Sequence, residues 1–350
     1  MTRNWGLYFT TLPFYFALVL TAGGTGEPAQ VQLPWGVKAV WSMDRAYRET
    51  TPTRERICVN GLWQWQPAGE SADAVPNTGW GYLKVPAPWP GITGDYMWRD
   101  TQTVYPHPAW EKTNWSRVNT AWYQREITVP EAWAGRRVAL SIEYLNSYAE
   151  VYLDGGKMGE VRFPGGEVDL TPGCRPGTKQ VLSLFTAAMP LNAVIQSFRD
   201  TNAVKYEEGR VSRRGLCGDV FLTSTPVDSR ITDVKVETST RKGEITVEAG
   251  VQGLMADTQY ALRARILDGG QAVKEIASRP FAAGDLKGGR FAFTDPWMPE
   301  KLWDLHTPQN MYEIQVSLLD SGGAVLDIFQ PARFGFREFW IDGRDFILNG

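Results

Sequence analysis

The carboxyl-terminal stretch FGFREFWIDGRDFILNG, from Phe334 to Gly350, has the pattern of a strand, a tight turn and a second strand. Aromatic and β-branched residues recur from Phe334 to Ile341 and favour extended backbone. Asp342-Gly343 is a two-residue hairpin signal, after which Phe346 begins the returning strand. Because a two-stranded hairpin is at best marginally stable alone in water, we expect this one to pack against further apolar surface and to lead into another domain.

The length and composition of the chain indicate a globular protein of two domains. At 350 residues the chain is too long for one ordinary core. Its 43% hydrophobic and 21% charged residues are typical of folded proteins. The formal net charge of −3 argues against nucleic acid or an anionic membrane surface as a partner, since both would require a basic patch.

Cysteine and histidine offer little material for a reactive centre. Cys58, Cys174 and Cys217 form no CxxC pair; a disulfide between two of them is possible, but the sequence does not give its connectivity. The two histidines, His107 and His306, are far apart in the chain. We therefore expect no metal site, no Ser-His-Asp centre and no cofactor.

Aromatic residues are abundant, with 15 Trp, 15 Phe and 13 Tyr. Aromatic rings can stack on the C–H face of pyranose sugars, which buries apolar area with a defined geometry. They also fill the cores of large β-sandwiches, and the sequence leaves both interpretations open for any single tryptophan.

Residues 1–29 have the pattern of an export signal. Arg3 supplies a positive start, Trp5 to Leu20 is an apolar run without charge, and Thr21 to Gly24 are small residues suited to cleavage. The alternative is a transmembrane anchor, but the run is shorter than the roughly 20 residues needed to span a bilayer. We expect an exported protein, periplasmic or extracellular, without a membrane span after cleavage.

Residues 30–226 have the pattern of an all-β domain with many short strands and Gly/Pro turns, which indicates a sandwich or jelly roll. Arg56 to Trp65 reads as a strand pair turned at Asn60-Gly61. Ala149 to Gly159 reads as a second hairpin, turned at Asp154-Gly155.

A long aromatic insertion, Gly79 to Asn119, interrupts these strands and includes Trp98. Loops of this length in compact domains are usually functional or disordered, and this one is too aromatic for disorder. We interpret it as a folded lobe that covers the sandwich edge and contributes a rim to a pocket. A purely structural cover is the alternative.

Residues 227–338 have the pattern of a second all-β unit, with turn residues at immunoglobulin-like intervals. Its predicted strands are Ile231–Glu237, Glu244–Ala249, Gln259–Leu267, Val273–Ile276, Phe291–Phe293 and Tyr312–Leu319.

Several motifs resemble glycoside hydrolase family 2, the group of β-galactosidases, β-glucuronidases and β-mannosidases. The matching segments are NGLWQWQP, AWYQREITVPEAWAGRRVALSIE, AEVYLDGGKMGE, VDLTPG, RGLCGDVFLTSTP, KLWDLHTPQNMYEIQVSLLD and the terminal FGFREFWIDGRDFILNG. The resemblance implies a jelly-roll sugar-binding domain over 30–226 and an immunoglobulin-like sandwich over 227–338. It further implies that 339–350 is a stub leading into a (β/α)8 catalytic barrel that this sequence lacks.

The same resemblance implies that this sequence contains no catalytic residue. Retaining glycosidases use two carboxylates about 5–5.5 Å apart, and both catalytic glutamates of the family lie in the barrel. Several relatives extend an aspartate from the loop before the GLCGDV-type strand into that active site, but Gly209 stands at this position here. Glu207 and Glu208 come immediately before it and, with Trp98, are our candidate substrate-binding residues. The alternative is that the two glutamates are solvated loop acids.

Three arginines, Arg210, Arg213 and Arg214, occupy the same loop. They are suited either to surface ion pairs with the neighbouring glutamates or to an anionic sugar. The sequence does not decide between the two.

Three hypotheses follow. The first is the non-catalytic amino-terminal portion of an exported retaining β-glycosidase, whose partners are carbohydrate and the missing barrel. The second is a free-standing carbohydrate-binding module, and the third is a β-sandwich scaffold that binds no sugar. An exposed apolar face around Phe334–Leu348 would favour the first, and a planar row of exposed Trp or Tyr the second.

Overall fold

The structure is a computed structural model, and it describes residues 31–69, 74–90, 103–188, 194–198, 204–208 and 213–350. The predicted export signal, 1–29, lies outside these residues. The described chain contains β-strands and five short 3₁₀ helices, and it has no α-helix. The 3₁₀ helices are Met43–Arg45, Pro108–Trp110, Trp115–Arg117, Glu131–Trp133 and Ala283–Asp285.

Among the described residues up to Thr225, the chain forms sixteen strands. They are β1 (Arg48–Thr50), β2 (Glu55–Cys58), β3 (Gly61–Pro67), β4 (Gly81–Val85), β5 (Val104–Tyr105), β6 (Thr120–Thr128), β7 (Arg137–Ile142), β8 (Leu145–Asn146), β9 (Tyr148–Leu153), β10 (Gly156–Arg162), β11 (Gly166–Asp169), β12 (Lys179–Ala187), β13 (Val194–Phe198), β14 (Val204–Glu208), β15 (Gly215–Leu216) and β16 (Val220–Thr225).

The second half forms ten further strands. They are β17 (Arg230–Ser239), β18 (Glu244–Gln252), β19 (Tyr260–Asp268), β20 (Gln271–Ala277), β21 (Arg290–Pro296), β22 (Tyr312–Asp320), β23 (Val325–Ile328), β24 (Ala332–Phe334), β25 (Phe339–Asp342) and β26 (Asp345–Leu348).

The first sandwich consists of a five-stranded sheet, β1-β2-β16-β7-β11, and a seven-stranded sheet, β10-β9-β12-β6-β3-β4-β5. Alternate residues of each strand face inward, as the pleat of a β-strand requires. The inward-facing residues include Trp63, Trp65, Tyr123 and Leu140, none of which is solvent-exposed. The predicted jelly-roll sandwich is thereby confirmed.

The second sandwich packs a three-stranded sheet, β17-β18-β21, against a sheet with the order β20-β19-β22-β23, to which β24 adds through β22. All six predicted strands of this unit are present, as β17 to β22. Tyr260, Phe281 and Phe336 are fully buried in its core, where the rings of Phe281 and Phe291 stack with centroids 4.1 Å apart. The immunoglobulin-like sandwich is confirmed; the domain boundaries stay predictions.

The predicted hairpin at Asn60-Gly61 is wrong, because β2 lies in the five-stranded sheet and β3 in the seven-stranded sheet. The chain crosses between sheets here, with Gly61 at a φ of +122°. The buried guanidinium of Arg125 fills this corner, donating to the carbonyl oxygens of Val59, Asn60 (2.6 Å) and Leu62 (2.9 Å). Those bonds satisfy backbone acceptors that a hairpin partner would otherwise have satisfied.

The predicted hairpin at Asp154-Gly155 is confirmed. Strands β9 and β10 pair antiparallel around it, and both turn residues have positive φ, 48° and 81°. This is the backbone conformation of a type I′ turn, which matches the twist of the two strands.

Candidate functional site

The terminal hairpin, β25–β26, is attached to the second sandwich through the carboxylate of Glu338. This carboxylate accepts hydrogen bonds from Arg241 Nε (2.7 Å), the Arg241 backbone N–H (3.0 Å) and Ser239 Oγ (2.9 Å). The Arg241 side chain, followed by the other donors, lowers the pKa of Glu338 to about 2. The residue that precedes the hairpin is therefore ionised and firmly held at neutral pH.

The other end of the hairpin is held by Asn349. Its Oδ1 accepts from the Glu338 backbone N–H and its own N–H donates to the Glu338 carbonyl, both at 2.9 Å. Its Nδ2 donates to the carbonyl of Trp303 at 2.9 Å, and the Trp303 N–H donates to the Phe336 carbonyl at 3.0 Å. Hydrogen bonds to backbone carbonyls thus join the LWDLHTP segment to the hairpin.

The hairpin is shorter than the sequence indicates. Phe336 belongs to the second core, and the turn residues between β25 and β26 are Gly343 and Arg344, since Asp342 pairs with Asp345. Phe334 likewise lies in the separate strand β24. The predicted turn is displaced by one residue because pairing register depends on both strands and not on the dipeptide alone.

One face of the hairpin is apolar and exposed. Phe339, Ile341 and Phe346 are 59%, 64% and 74% exposed, and the rings of Phe339 and Phe346 stack with centroids 5.9 Å apart. Trp340 points to the opposite face, where the guanidinium of Arg241 lies 4.4 Å from its ring centroid. We call the three exposed residues the hairpin face; such a patch on a firmly held element is typical of an interaction surface.

The structure does not test the predicted substrate-binding residues. Trp98 lies outside the described residues. Glu207 and Glu208 lie in β14, opposite Ile195 and Val194 of β13. They therefore belong to a strand and not to a loop, and their role stays a prediction.

Of the three arginines of that segment, Arg214 forms hydrogen bonds inside the fold. It is buried and donates to the carbonyl oxygens of Val118 and Trp115, the latter at 3.1 Å. Its guanidinium lies 5.7 Å from the ring centroid of Trp89, and burial lowers its pKa. Arg214 thereby connects the strand before β16 to the aromatic insertion, whereas Arg213 is exposed.

The described part of the insertion packs as a folded lobe. The rings of Trp110 and Trp65 meet edge-on with centroids 5.3 Å apart, and the ring centroid of Trp115 lies 6.1 Å from that of Trp65. Trp89 donates from Nε1 to the hydroxyl of Tyr123 at 2.6 Å. The outer surface of this lobe forms a groove of about 390 Å³ lined by Pro106, His107, Pro108, Trp110, Glu111 and Trp115.

Among the described tryptophans, only Trp35 is exposed. Six others are buried, namely Trp63, Trp65, Trp89, Trp110, Trp122 and Trp133. Most of the aromatic composition in this part of the chain therefore serves the core.

The three cysteines are all free thiols. Burial raises the pKa of each, to about 11 for Cys174 and about 12 for Cys217. Within the described ranges no group of three or more His, Cys, Asp or Glu residues could hold a metal ion, and no helix is long and apolar enough to cross a membrane.

Two long-range polar features escaped sequence reasoning. One is the buried Arg125; its inward position between Tyr123 and Ile127 could have been recognised from strand alternation. The other is an ion pair between Arg54 and Asp327, which have no sequence pattern in common.

Comparisons with known proteins agree with the fold. A family model described as "Glycosyl hydrolases family 2" matches residues 221–337. The chain is 25% identical to a β-glucuronidase of Homo sapiens, with 91% of this chain and 50% of that protein covered. It is 24% identical to a β-glucuronidase of Formosa agariphila, with 75% and 29% covered.

The fold is also that of a solved β-glucuronidase from Bifidobacterium dentium, complexed with coumarin-3-O-glucuronide. The TM-score is 0.62 at 21% sequence identity, over 87% of this chain and 51% of that one. The chain thus spans about half the length of this protein and of the human relative. In its motifs, its two sandwiches and these matches, the chain is similar to glycosyl hydrolases family 2, whose family model matches residues 221–337.

Proposed function

We propose that this chain is the non-catalytic amino-terminal portion of an exported glycoside hydrolase. The complete enzyme hydrolyses O-glycosidic bonds of β-linked sugars, and this portion positions a catalytic barrel and shapes its substrate rim. The observation that carries the proposal is the hairpin face: Phe339, Ile341 and Phe346 are exposed on an element that Glu338 and Asn349 hold in place.

The coverage of the relatives supports the same proposal, since this chain spans about half of the human β-glucuronidase. The names of the relatives favour a β-linked uronic acid as the sugar. The apolar run of residues 5–20 supports export.

The alternative, a free-standing carbohydrate-binding module, requires a planar row of exposed aromatic rings. Among the tryptophans and tyrosines whose side chains the structure describes, Trp35 and Tyr47 are the exposed ones; both precede the strands of the first sandwich. This distribution favours the first hypothesis.

Two measurements test the proposal. The coding sequence should continue in frame past Gly350 and encode an Asn-Glu pair on a predicted barrel strand. The 350-residue chain should not hydrolyse the 4-nitrophenyl β-D-glucuronide, β-D-galactoside or β-D-mannoside. Turnover by this chain, or a stop codon directly after Gly350, would contradict the proposal.

The hairpin face can be tested in the longer protein. Ile341→Lys places a charge where the barrel should pack, and burying one such side chain stabilises by about 1.5–3 kcal/mol. We expect a lower unfolding midpoint in the longer protein and an unchanged one in the 350-residue chain. Met255→Lys, at a residue 66% exposed elsewhere in the second sandwich, is the matched control and should change neither.

A further inference from the structure

A groove of about 320 Å³ lies on the outer face of the seven-stranded sheet, which is the face turned away from the first core. It is lined by side chains of β3, β4, β6 and β12 and by the segment 39–41, which precedes β1. We call it the sheet groove. Its volume is within the range of small-molecule sites.

Three polar side chains form a row across the sheet groove. Strand pairing places Gln64 of β3 directly opposite Tyr82 of β4 on one side and Gln124 of β6 on the other. All three point outward, because the residues before and after each of them are buried. Since neighbouring strands are about 4.8 Å apart, the row spans roughly 10 Å, which is long enough to contact more than one unit of an elongated ligand.

The polar atoms of this row are accessible to a ligand. The Gln64 amide, the Tyr82 hydroxyl and Gln124 Oε1 make no hydrogen bond within the part of the chain that the structure describes, and none of these atoms is buried. Gln124 Nε2 donates to Ser183 Oγ at 3.2 Å, which fixes the direction of the Gln124 side chain. A ligand that crosses the row therefore meets two amide oxygens, one amide NH₂ and one hydroxyl.

The two charged residues of the lining already have partners. Glu126 pairs with Lys179 at 2.7 Å. The guanidinium of Arg125 is 5% exposed and donates to the backbone carbonyl oxygens of the corner at Gly61. With one charge of each sign, both engaged, the lining favours an uncharged ligand.

Apolar surface completes the sheet groove. It comes from Leu62, Val181, the half-buried Trp41 and the Tyr82 ring. Trp41 Nε1 donates to the Cys58 carbonyl at 3.0 Å, which holds the segment 39–41 against the sandwich. An uncharged molecule that has both hydroxyl groups and C–H faces is complementary to this lining.

An extended peptide suits the sheet groove less well. Strand β3 lies between β4 and β6, and β6 lies between β3 and β12, so both strands are paired along both sides. A peptide could not add to them as a further strand, which is how an extended chain gains affinity from a sheet. Recognition here depends on side chains alone.

We propose that the sheet groove binds a short, uncharged stretch of a polysaccharide. The choice of saccharide over another polyhydroxylated molecule rests on the proposed function. Binding here would keep a polymeric substrate close to the catalytic barrel and raise its effective concentration there.

Gln64→Met tests this proposal because it removes the accessible amide and keeps the length of the side chain. The probes are cellotetraose, xylotetraose and mannotetraose, with tetragalacturonic acid as a charged counterpart, each titrated calorimetrically into the 350-residue chain. We expect at least one neutral probe to bind and Gln64→Met to weaken its binding tenfold or more. Tighter binding of the charged probe than of every neutral one would overturn the proposal.

Gln66→Met is the matched control. Gln66 lies on the same face of β3, two residues further along, but outside the groove, and its amide donates to the Thr78 carbonyl at 3.0 Å. The control should leave the affinity unchanged, whereas Tyr82→Leu, which removes a ring from the groove, should weaken binding. Thermal unfolding of each variant shows that it is folded. Equal losses of affinity in Gln64→Met and Gln66→Met would contradict the proposal.

Trp115→Ala tests the other groove, the one on the aromatic lobe. If it abolishes binding while Gln64→Met and Tyr82→Leu do not, the saccharide binds on the lobe and the proposal for the sheet groove is wrong.

Failure of every neutral probe to bind would also overturn the proposal. It would leave the proposed function standing, because that function depends on the hairpin face and on the continuing reading frame.

Discussion

The ion pair between Arg54 and Asp327 makes the sharpest prediction about how the two sandwiches are held together. Asp327 is fully buried, and Arg54 is 7% exposed. The carboxylate accepts from Arg54 Nε and Nη2, from the Ile231 N–H at 2.7 Å and from Thr53 Oγ1 at 3.0 Å. Asp327→Asn keeps the shape of this side chain and removes its charge.

The substitution should cost about 3–5 kcal/mol, the range for removing one partner of a buried ion pair. Every neighbour of the Asp327 carboxylate is a donor, so the new amide NH₂ must face another donor in either orientation. The guanidinium of Arg54 also stays buried without a countercharge. Both effects lower the free energy of unfolding.

Urea unfolding followed by tryptophan fluorescence measures this cost. With a denaturant slope of about 3 kcal/mol per M, the midpoint should fall by ~1 M or more. The matched control is Glu126→Gln, which breaks the pair with Lys179, whose two side chains are 55% and 72% exposed. An exposed pair contributes about 0–1 kcal/mol, so the control should shift the midpoint little.

The double variant Arg54→Met with Asp327→Leu tests whether an uncompensated buried charge causes the loss of stability. Replacing both charges by apolar side chains of similar size should recover much of the stability, because no uncompensated charge remains. If Asp327→Asn changes the unfolding free energy no more than Glu126→Gln does, the ion pair does not hold the sandwiches together and the reasoning is refuted.

Two further predictions concern the ends of the two sandwiches. The Glu338 pKa lies at about 2 in the fold against an ordinary 4.5, so its stabilisation of the hairpin is complete above pH 4.5 and is lost as the pH falls toward 2. The indole N–H signal of Trp340 in NMR should shift over that interval, and Glu338→Gln should remove the shift; an unchanged titration in that variant would contradict this. Gly215→Ala should cost about 2–4 kcal/mol in urea unfolding, because φ is +92° and the new Cβ would overlap Trp89. The control Gly155→Ala, at φ +81° with open space around it, should cost ~1–2 kcal/mol, and equal losses would exclude the packing explanation.

Short-range patterns were the most reliable part of the sequence interpretation. Asp154-Gly155 turned as predicted because both strands of its hairpin are adjacent in the chain. Asn60-Gly61 has an equally strong turn signal, yet its flanking strands lie in different sheets. The difference is made by Arg125, which lies more than 60 residues away and bonds the corner carbonyls.

The hairpin face likewise has one feature that the sequence predicts and one that depends on the tertiary structure. The apolar residues of the terminal hairpin were evident in the sequence, but which of them face solvent was not. Phe336 is buried in the second core while Phe339, three residues later, is 59% exposed. That outcome depends on Glu338 and Asn349, whose partners lie on other segments.

The sequence by itself determined the all-β class, the two sandwiches and the resemblance to a family, because strand alternation, turn dipeptides and short motifs are properties of neighbouring residues. Only the tertiary structure decided where buried charges lie, which face of the hairpin is exposed and which side chains meet in the sheet groove. Arg54 and Asp327 are 273 residues apart, and their pairing is set by how two completed cores pack. Hydrogen-bond partners at such a distance leave no periodic pattern in a single chain, so packing alone reveals them.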